Sequence, residues 1–346
     1  MTVSLLALML VACESPEPKK EAAPPPKPAA PAPVAIDPAM LSAYSPLPAR
    51  MDAAAPPSPE LLALGRMLYF EPRISKSGTI SCNSCHDVAK FGQDGNARSP
   101  GHDGSLGGRN SPTSFNAAGH FVQFWDGRAA DVEAQAKGPV LNPVEMGMAD
   151  AKAVEKTLRG IKGYPEAFQA AFPDQKDPVT FDNFAIAVGA FERGFTTPAP
   201  WDKFLAGDQA ALTDAQKKGF QEFTGAGCNA CHSGTYVGGA MYQKLGLVNA
   251  WTDEKDLGRY DVTKADADKM MFKVPSLRNI TKTAPYFHDG SVATLDEAVK
   301  KMGHHQLGKE LTPEQVASIV TYLGALEGTV DPTYVAKPEL PGMAAK

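Results

Sequence analysis

Cys82-Asn83-Ser84-Cys85-His86 and Cys228-Asn229-Ala230-Cys231-His232 are two copies of one pattern, Cys-x-x-Cys-His, and they hold four of the five cysteines in the chain. In each, two thiols three positions apart can form thioethers to one porphyrin, and the histidine that follows can offer an imidazole nitrogen to its iron. A redox dithiol has no need of that histidine. A zinc site would draw the two pairs around one ion, yet the first cysteines of the pairs stand 146 residues apart. Each pentapeptide therefore reads as the attachment site of its own covalent haem c, which makes the chain a two-haem redox protein and fixes its fold around two cofactors.

Working outward, Ser58-Pro59-Glu60 is a helix start, with Ser as N-cap and Pro at the first helical position. Leu61, Leu64, Met67 and Leu68 then recur at helical spacing and give one apolar face. Ahead of the second motif, Thr213 and Gln216 form a capping box, the helix passes through Phe220 and Phe223, and Gly225 is expected to end it. A further helix starts at Thr312-Pro313-Glu314-Gln315 and carries Val316, Ile319, Val320, Tyr322 and Leu323. Glycine-rich stretches, 101–108 and 225–239, separate these segments. The expected fold is mainly α: two c-type cytochrome-like haem domains with long loops, one over residues 58–205 and one over 206–335.

The fifth cysteine has a different setting. Cys13 ends an apolar run from Val3 to Ala12, and Leu10-Val11-Ala12-Cys13 looks like a lipoprotein cleavage and lipid-attachment box, so residues 1–13 are expected to be an export signal with an anchor site. The run is too short to span a bilayer. Residues 14–57 are rich in Pro and Ala and read as an extended linker. A formal charge of −5, to which haem carboxylates would add, argues against a nucleic acid partner. Export to the periplasm with a lipid anchor in the outer membrane follows, because covalent haem attachment by the usual bacterial route comes after export, and Glu14 rather than Asp follows the cysteine.

With His86 and His232 assigned to the near sides of the two irons, the far sides are open. His102, His120, His288, His304 and His305 remain, along with several methionines, and composition does not choose among them. A methionine ligand raises a haem potential relative to histidine, and a vacant position permits chemistry on a bound oxidant.

Further stretches after each motif narrow the reading. Gly108-Arg109-Asn110-Ser111-Pro112-Thr113, Gln123-Phe124-Trp125-Asp126-Gly127-Arg128 and Gln135 through Met146 follow the first motif. Val274-Pro275-Ser276-Leu277-Arg278-Asn279, Thr283 through Ser291, and Met302-Gly303-His304-His305-Gln306-Leu307-Gly308 follow the second. From about Pro59 to Gly328, their order and spacing resemble the bacterial dihaem cytochrome c peroxidases.

The resemblance implies reduction of hydrogen peroxide to water. The electrons would come from a small cytochrome c or a cupredoxin and pass through the C-terminal haem to the N-terminal haem. It makes the haem at Cys82, Cys85 and His86 the peroxidatic one, with His102 as a distal ligand on a mobile glycine-rich loop, Glu145 as the distal acid and Gln135 as its hydrogen-bonding neighbour. Met302 is implied as the distal ligand of the haem at Cys228, Cys231 and His232, and Trp125 as the bridge between the two haems. Asn110, with the backbone oxygens of Thr283 and Pro285, resembles a calcium site, whose hard oxygen donors suit that ion. A homodimer is also implied. The rival readings are a MauG-like dihaem oxidase of an organic or protein substrate and a dihaem carrier without catalysis. A methionine at 302 argues against the oxidase branch, which has tyrosine there.

Overall fold

The computed structural model describes residues 1, 2, 9, 34–52, 55–251 and 255–343. Cys13 and half of the expected linker lie outside them. The chain from Val34 onward is one body, rich in helix and short of sheet. Its sheet among the described residues is a single antiparallel pair, Tyr242–Lys244 with Met271–Lys273. No helix among the described residues is long and apolar enough to cross a membrane.

Local chemistry sets the helix starts. Ser58 Oγ accepts from Leu61 N at 3.1 Å and opens the helix Pro59–Tyr69. Thr213 and Gln216 cap each other at the head of Asp214–Ala226, and Thr312 and Gln315 do the same for Pro313–Leu323. The second helix runs past the expected stop: Gly225 is inside it, and the left-handed cap is Gly227, at φ 104°. A glycine ends a helix only where the backbone turns left-handed, and two candidate glycines so close together do not reveal which one turns.

Each half is then built on a tight helix pair. Pro59–Tyr69 crosses Phe181–Glu192 at Gly65, where a Cβ would sit 1.9 Å from the Ala187 carbonyl oxygen. Asp214–Ala226 crosses Pro313–Leu323 at Gly219, where a Cβ would sit 2.1 Å from the Ser318 carbonyl oxygen. At both crossings the backbones touch, so any side chain would force the helices apart. Around the first pair lie Leu64, Leu68, Tyr69, Phe184, Phe191 and Phe195. Around the second lie Trp201, Phe204, Phe220, Phe223, Ile319 and Tyr322. Full burial of each such side chain is worth about 1.5–3 kcal/mol.

The two clusters do not follow the expected limits. Trp201 and Phe204 precede residue 205 yet pack in the second cluster, while Val330, Tyr334, Val335 and Leu340 return from the C-terminal tail to the first. The linker assignment also needs correction at its end. Residues 34–52 are docked on the body: Val34 N donates to Asp214 Oδ1, Tyr44 is buried edge-on against Trp201, and Arg50 bonds the Ala190 carbonyl. The reason is compositional. Ile36, Met40, Leu41 and Tyr44 supply an apolar face that averaging over a Pro/Ala-rich window conceals.

A buried ion pair ties the docked segment to the second half. Arg278 meets Asp202 with both guanidinium nitrogens, at 2.8 and 2.9 Å, and donates Nε to the Thr235 carbonyl. Asp202 also accepts from Leu47 N and Ala199 N. With its oxygens bonded on all sides, the pair avoids the penalty of an unmatched buried charge.

Candidate active site

One cavity of about 740 Å³ reaches both Cys-x-x-Cys-His motifs. Cys82 and Cys85 form a single helical turn after Ser81, whose backbone N–H is capped by Ser84 Oγ at 3.0 Å. His86 follows as the last residue of that turn. Its Nδ1 donates to the Pro112 carbonyl at 3.0 Å, with the Gly92 carbonyl at 3.3 Å, which leaves Nε2 as the free nitrogen. Such a bond on the far nitrogen is what orients a metal-binding imidazole. Cys228–Ala230 forms a tighter 3₁₀ turn, and His232 Nδ1 faces the Val237 and Pro275 carbonyls without closing a hydrogen bond to either. Burial lowers the His232 pKa to about 4, so the ring is neutral and able to bind metal. All four thiols are unpaired and face the cavity. The donor set at each end fits a covalently held haem.

The walls differ. Above the first motif stand Glu145, Gln135 and Arg128. Glu145 Oε1 accepts from Asn142 Nδ2 at 2.8 Å, and burial raises its carboxyl pKa against the opposing pull of Arg128 and Asn142. Arg128 is held over the Phe124 ring at 3.5 Å and bonds Asp126. Asn142 lies one turn before Glu145, a spacing that could have marked it as the orienting group, though sequence reading passed over it.

Near the second motif the wall is mainly apolar: Leu295, Val299, Ile319 and Leu323 pack with Cys228, Met302 and Leu307 share the wall, and Gln243 is a polar side chain beside Cys231. Met302 projects from the helix Leu295–Leu307. Its chemical rivals fall elsewhere, Met270 in a small core with Trp251 and Phe272, and Met271 in the strand pair, neither on the cavity wall.

His102 is not brought to the cavity. Its Nε2 bonds the Pro143 carbonyl at 3.1 Å, its backbone N donates to Glu145 O at 2.7 Å, and its ring lies against Gly147. The physical reason is that its loop is pinned to the 142–147 turn. At Gly101 a Cβ would lie 2.0 Å from the Val144 carbonyl oxygen, so only glycine permits that approach. As a ligand His102 is thus not in place in this conformation. Of the other histidines, His120 and His288 line the cavity and His304 and His305 do not.

Between the motifs, Trp125 is on the cavity wall with its Nε1 donating to the Asn110 carbonyl at 2.9 Å, while its own carbonyl accepts from Lys273 N at 2.8 Å. It therefore touches both halves. Arg109 reinforces the junction, with two bonds of 2.6 and 2.7 Å to Asp256 and one of 2.6 Å to Asp126. Asn110, Thr283 and Pro285 share this wall, and Asn110 Nδ2 is engaged by the Asn96 carbonyl, which leaves Oδ1 as an acceptor. Among the described residues no cluster of His, Cys, Asp and Glu has the make-up of a metal site, so a cation here would depend on amide and carbonyl oxygens.

Comparison with known proteins gives the family. The profile of the family described as di-haem cytochrome c peroxidase matches residues 59–210. Cytochrome c551 peroxidase of Pseudomonas aeruginosa is 45% identical over 292 residues, covering 82% of this chain and 84% of that protein. Cytochrome c551 peroxidase of Nitrosomonas europaea is 44% identical over 278 residues, covering 80% and 82%. A solved structure of a MauG-like protein associated with microbial copper homeostasis superposes with a TM-score of 0.72 at 29% identity, over 85% of this chain and 95% of that one. The chain belongs to the di-haem cytochrome c peroxidase family and is an enzyme of that kind, with two haem cofactors.

Proposed function

We propose that the enzyme reduces hydrogen peroxide, two electrons and two protons to two waters, with a small cytochrome c or cupredoxin as donor. The observation that supports it is the make-up of the cavity lining, which holds a half-buried acid, Glu145, near Cys85 and a thioether, Met302, on the helix whose Leu295 and Val299 pack with Cys228. When bound, the haems supply the redox change, the C-terminal one receiving electrons and the N-terminal one using them. The protein's own part is proton transfer. Glu145 takes a proton from one peroxide oxygen and returns it to the other, which then leaves as water. A carboxyl whose pKa is raised by burial is suited to that exchange. Asn142 fixes the carboxyl by one oxygen, and Gln135 and Arg128 offer donors to the oxygen on which charge develops.

His102 belongs to the same proposal as the closing ligand of the resting site. To swing inward its loop must give up the bonds to Pro143 and to the backbone of Glu145, so closure and placement of the acid compete. Met302 serves as the second iron's distal ligand, and its thioether favours this reading over a MauG-like oxidation. Trp125 conducts between the two sites, a calcium ion rests on Asn110, Thr283 and Pro285, and the two cores carry one haem each. The mature protein works in the periplasm as a homodimer, tethered through lipid on Cys13 and the Pro-rich segment to Pro33. Steady-state assay of the two-haem protein with peroxide and a reduced small cytochrome tests the reaction. Rapid donor oxidation is expected, together with a high-spin ferric signal after one-electron reduction. Two six-coordinate haems in every redox state, without turnover, would leave only a carrier.

A further inference from the structure

A tyrosine hydroxyl meets the main-chain carbonyl of each motif histidine, and in the two halves that tyrosine comes from different parts of the chain. In the first, Tyr69 Oη donates to the His86 carbonyl at 2.7 Å. Tyr69 ends the helix Pro59–Tyr69, four residues and so about one turn past the crossing glycine Gly65. In the second, the same step past the crossing glycine Gly219 leads to Phe223, which has no hydroxyl. The His232 carbonyl accepts instead from Tyr44 Oη, at 3.2 Å, on a segment that precedes both helix pairs in the chain.

That segment brings more than one bond. Gly234 N donates to the Ala43 carbonyl at 2.8 Å, so two consecutive residues hold the main chain on either side of Ser233. The Tyr44 ring is buried edge-on against Trp201 and Phe220, with centroids 5.4 and 5.6 Å apart, and Cys228 packs on the same cluster. A ring held on two sides aims its hydroxyl at one place.

The second histidine depends on this hold more than the first. His86 is oriented through its ring, by the 3.0 Å bond from Nδ1 to the Pro112 carbonyl. His232 Nδ1 is buried and makes no such bond, so its imidazole is placed by its main chain. Bonds behind a metal ligand orient it and tune the metal. We propose that Tyr44 is a positioning residue for His232, which makes the docked N-terminal segment a working part of the second haem site. The inference rests on the two-haem reading, with His232 as the ligand of one iron.

The test uses the full-length two-haem protein and its Tyr44→Phe variant, which keeps the ring on Trp201 and Phe220 and removes the hydroxyl. Haem count by intact mass checks the two-haem reading separately. With both haems present, the electron paramagnetic resonance g-values of the second ferric haem should move, because they follow the orientation of the ligand ring, while those of the first stay. The potential of the second haem should fall, since an unpaired carbonyl dipole favours ferric iron. Loss of one hydrogen bond is worth about twofold or more in an equilibrium, and twofold is about 18 mV for one electron. A ring-fluorinated tyrosine at position 44, a stronger donor of nearly the same shape, should move the potential the opposite way, and it carries the test if Y44F does not load haem. Unchanged g-values and potential in a fully loaded variant would overturn the proposal. A lowered urea midpoint as the sole effect would likewise overturn it and leave Tyr44 a packing residue.

Discussion

The two cradles share one frame and differ in what faces the cofactor. Each has a glycine-crossed helix pair, Gly65 on Ala187 in one and Gly219 on Ser318 in the other, and each presents two thiols and a histidine to the same cavity. Above the first stand a carboxyl, an amide and a guanidinium. Around the second stand aliphatic side chains, a thioether and the amide of Gln243. Proton transfer needs titratable groups near the reacting atoms, while electron storage needs a dry, little-changing shell. The frame thus accounts for cofactor retention, and the division of labour lies in a handful of side chains on the opposite wall.

The harshest way to break this comparison is to empty one cradle. Cys228→Ser with Cys231→Ser should leave one haem per chain by intact mass and abolish turnover driven by a reduced donor, with the first haem retained. Undiminished donor oxidation in such a protein would show that the second cradle is not the entry point.

Next in size is the acid. Glu145→Gln keeps the shape and the bond to Asn142 while removing the exchangeable proton, and positioned acid–base groups typically contribute about 10²–10⁴-fold. Turnover should fall by that order with both haems in place. A loss under about threefold would move the proton to another group or a water chain.

A smaller effect is expected from Met302→His, which should lower the potential of the second haem. For a one-electron couple about 59 mV is tenfold in equilibrium, so reduction by the donor should weaken while the first haem's spectrum is unchanged. An unaltered potential by spectroelectrochemical titration would remove Met302 as ligand.

What could be read from the sequence was local. Thioether attachment demands two cysteines and a histidine at fixed spacing, so the motifs were legible, and so were the caps at Ser58, Thr213 and Thr312, whose partners are three residues away. Met302 lies on the cavity wall. Features set by distant partners were not legible. Asp202 meets Arg278 across 76 residues and His120 meets Lys273 across 153. Neither residue's neighbours in the chain hint at the other. His102 shows the limit from the other side: its glycine-rich loop was evident, but which way the ring faces depends on a turn some 40 residues on, where Pro143 accepts from it. Docking of residues 34–52 escaped notice because four apolar residues are diluted in a Pro/Ala-rich window.

The gentlest probe concerns Glu192, a second buried acid on the first cradle's wall that the proposed reaction does not use. It lies on the helix Phe181–Glu192, and its pKa is raised from 4.5 to about 8, first by burial and then by Glu133, against the pull of Arg193. A cofactor filling the cavity would bury it further, in the same direction. Because the folded form binds its proton more tightly than the unfolded chain, the stabilisation is fully present below about pH 4.5 and is lost as pH rises through about 8. Each unit of the difference is worth about 1.4 kcal/mol. Glu192→Gln should therefore leave peroxide turnover near neutral pH little changed and flatten the decline in stability between pH 5 and pH 9, as followed by urea midpoints of the two-haem protein at several pH values. The first cradle would then hold one acid that exchanges its proton and one that keeps it. A decline equally steep in wild type and variant would show that Glu192 ionises without resistance, and would leave Glu145 as the only acid on this wall whose proton the fold controls.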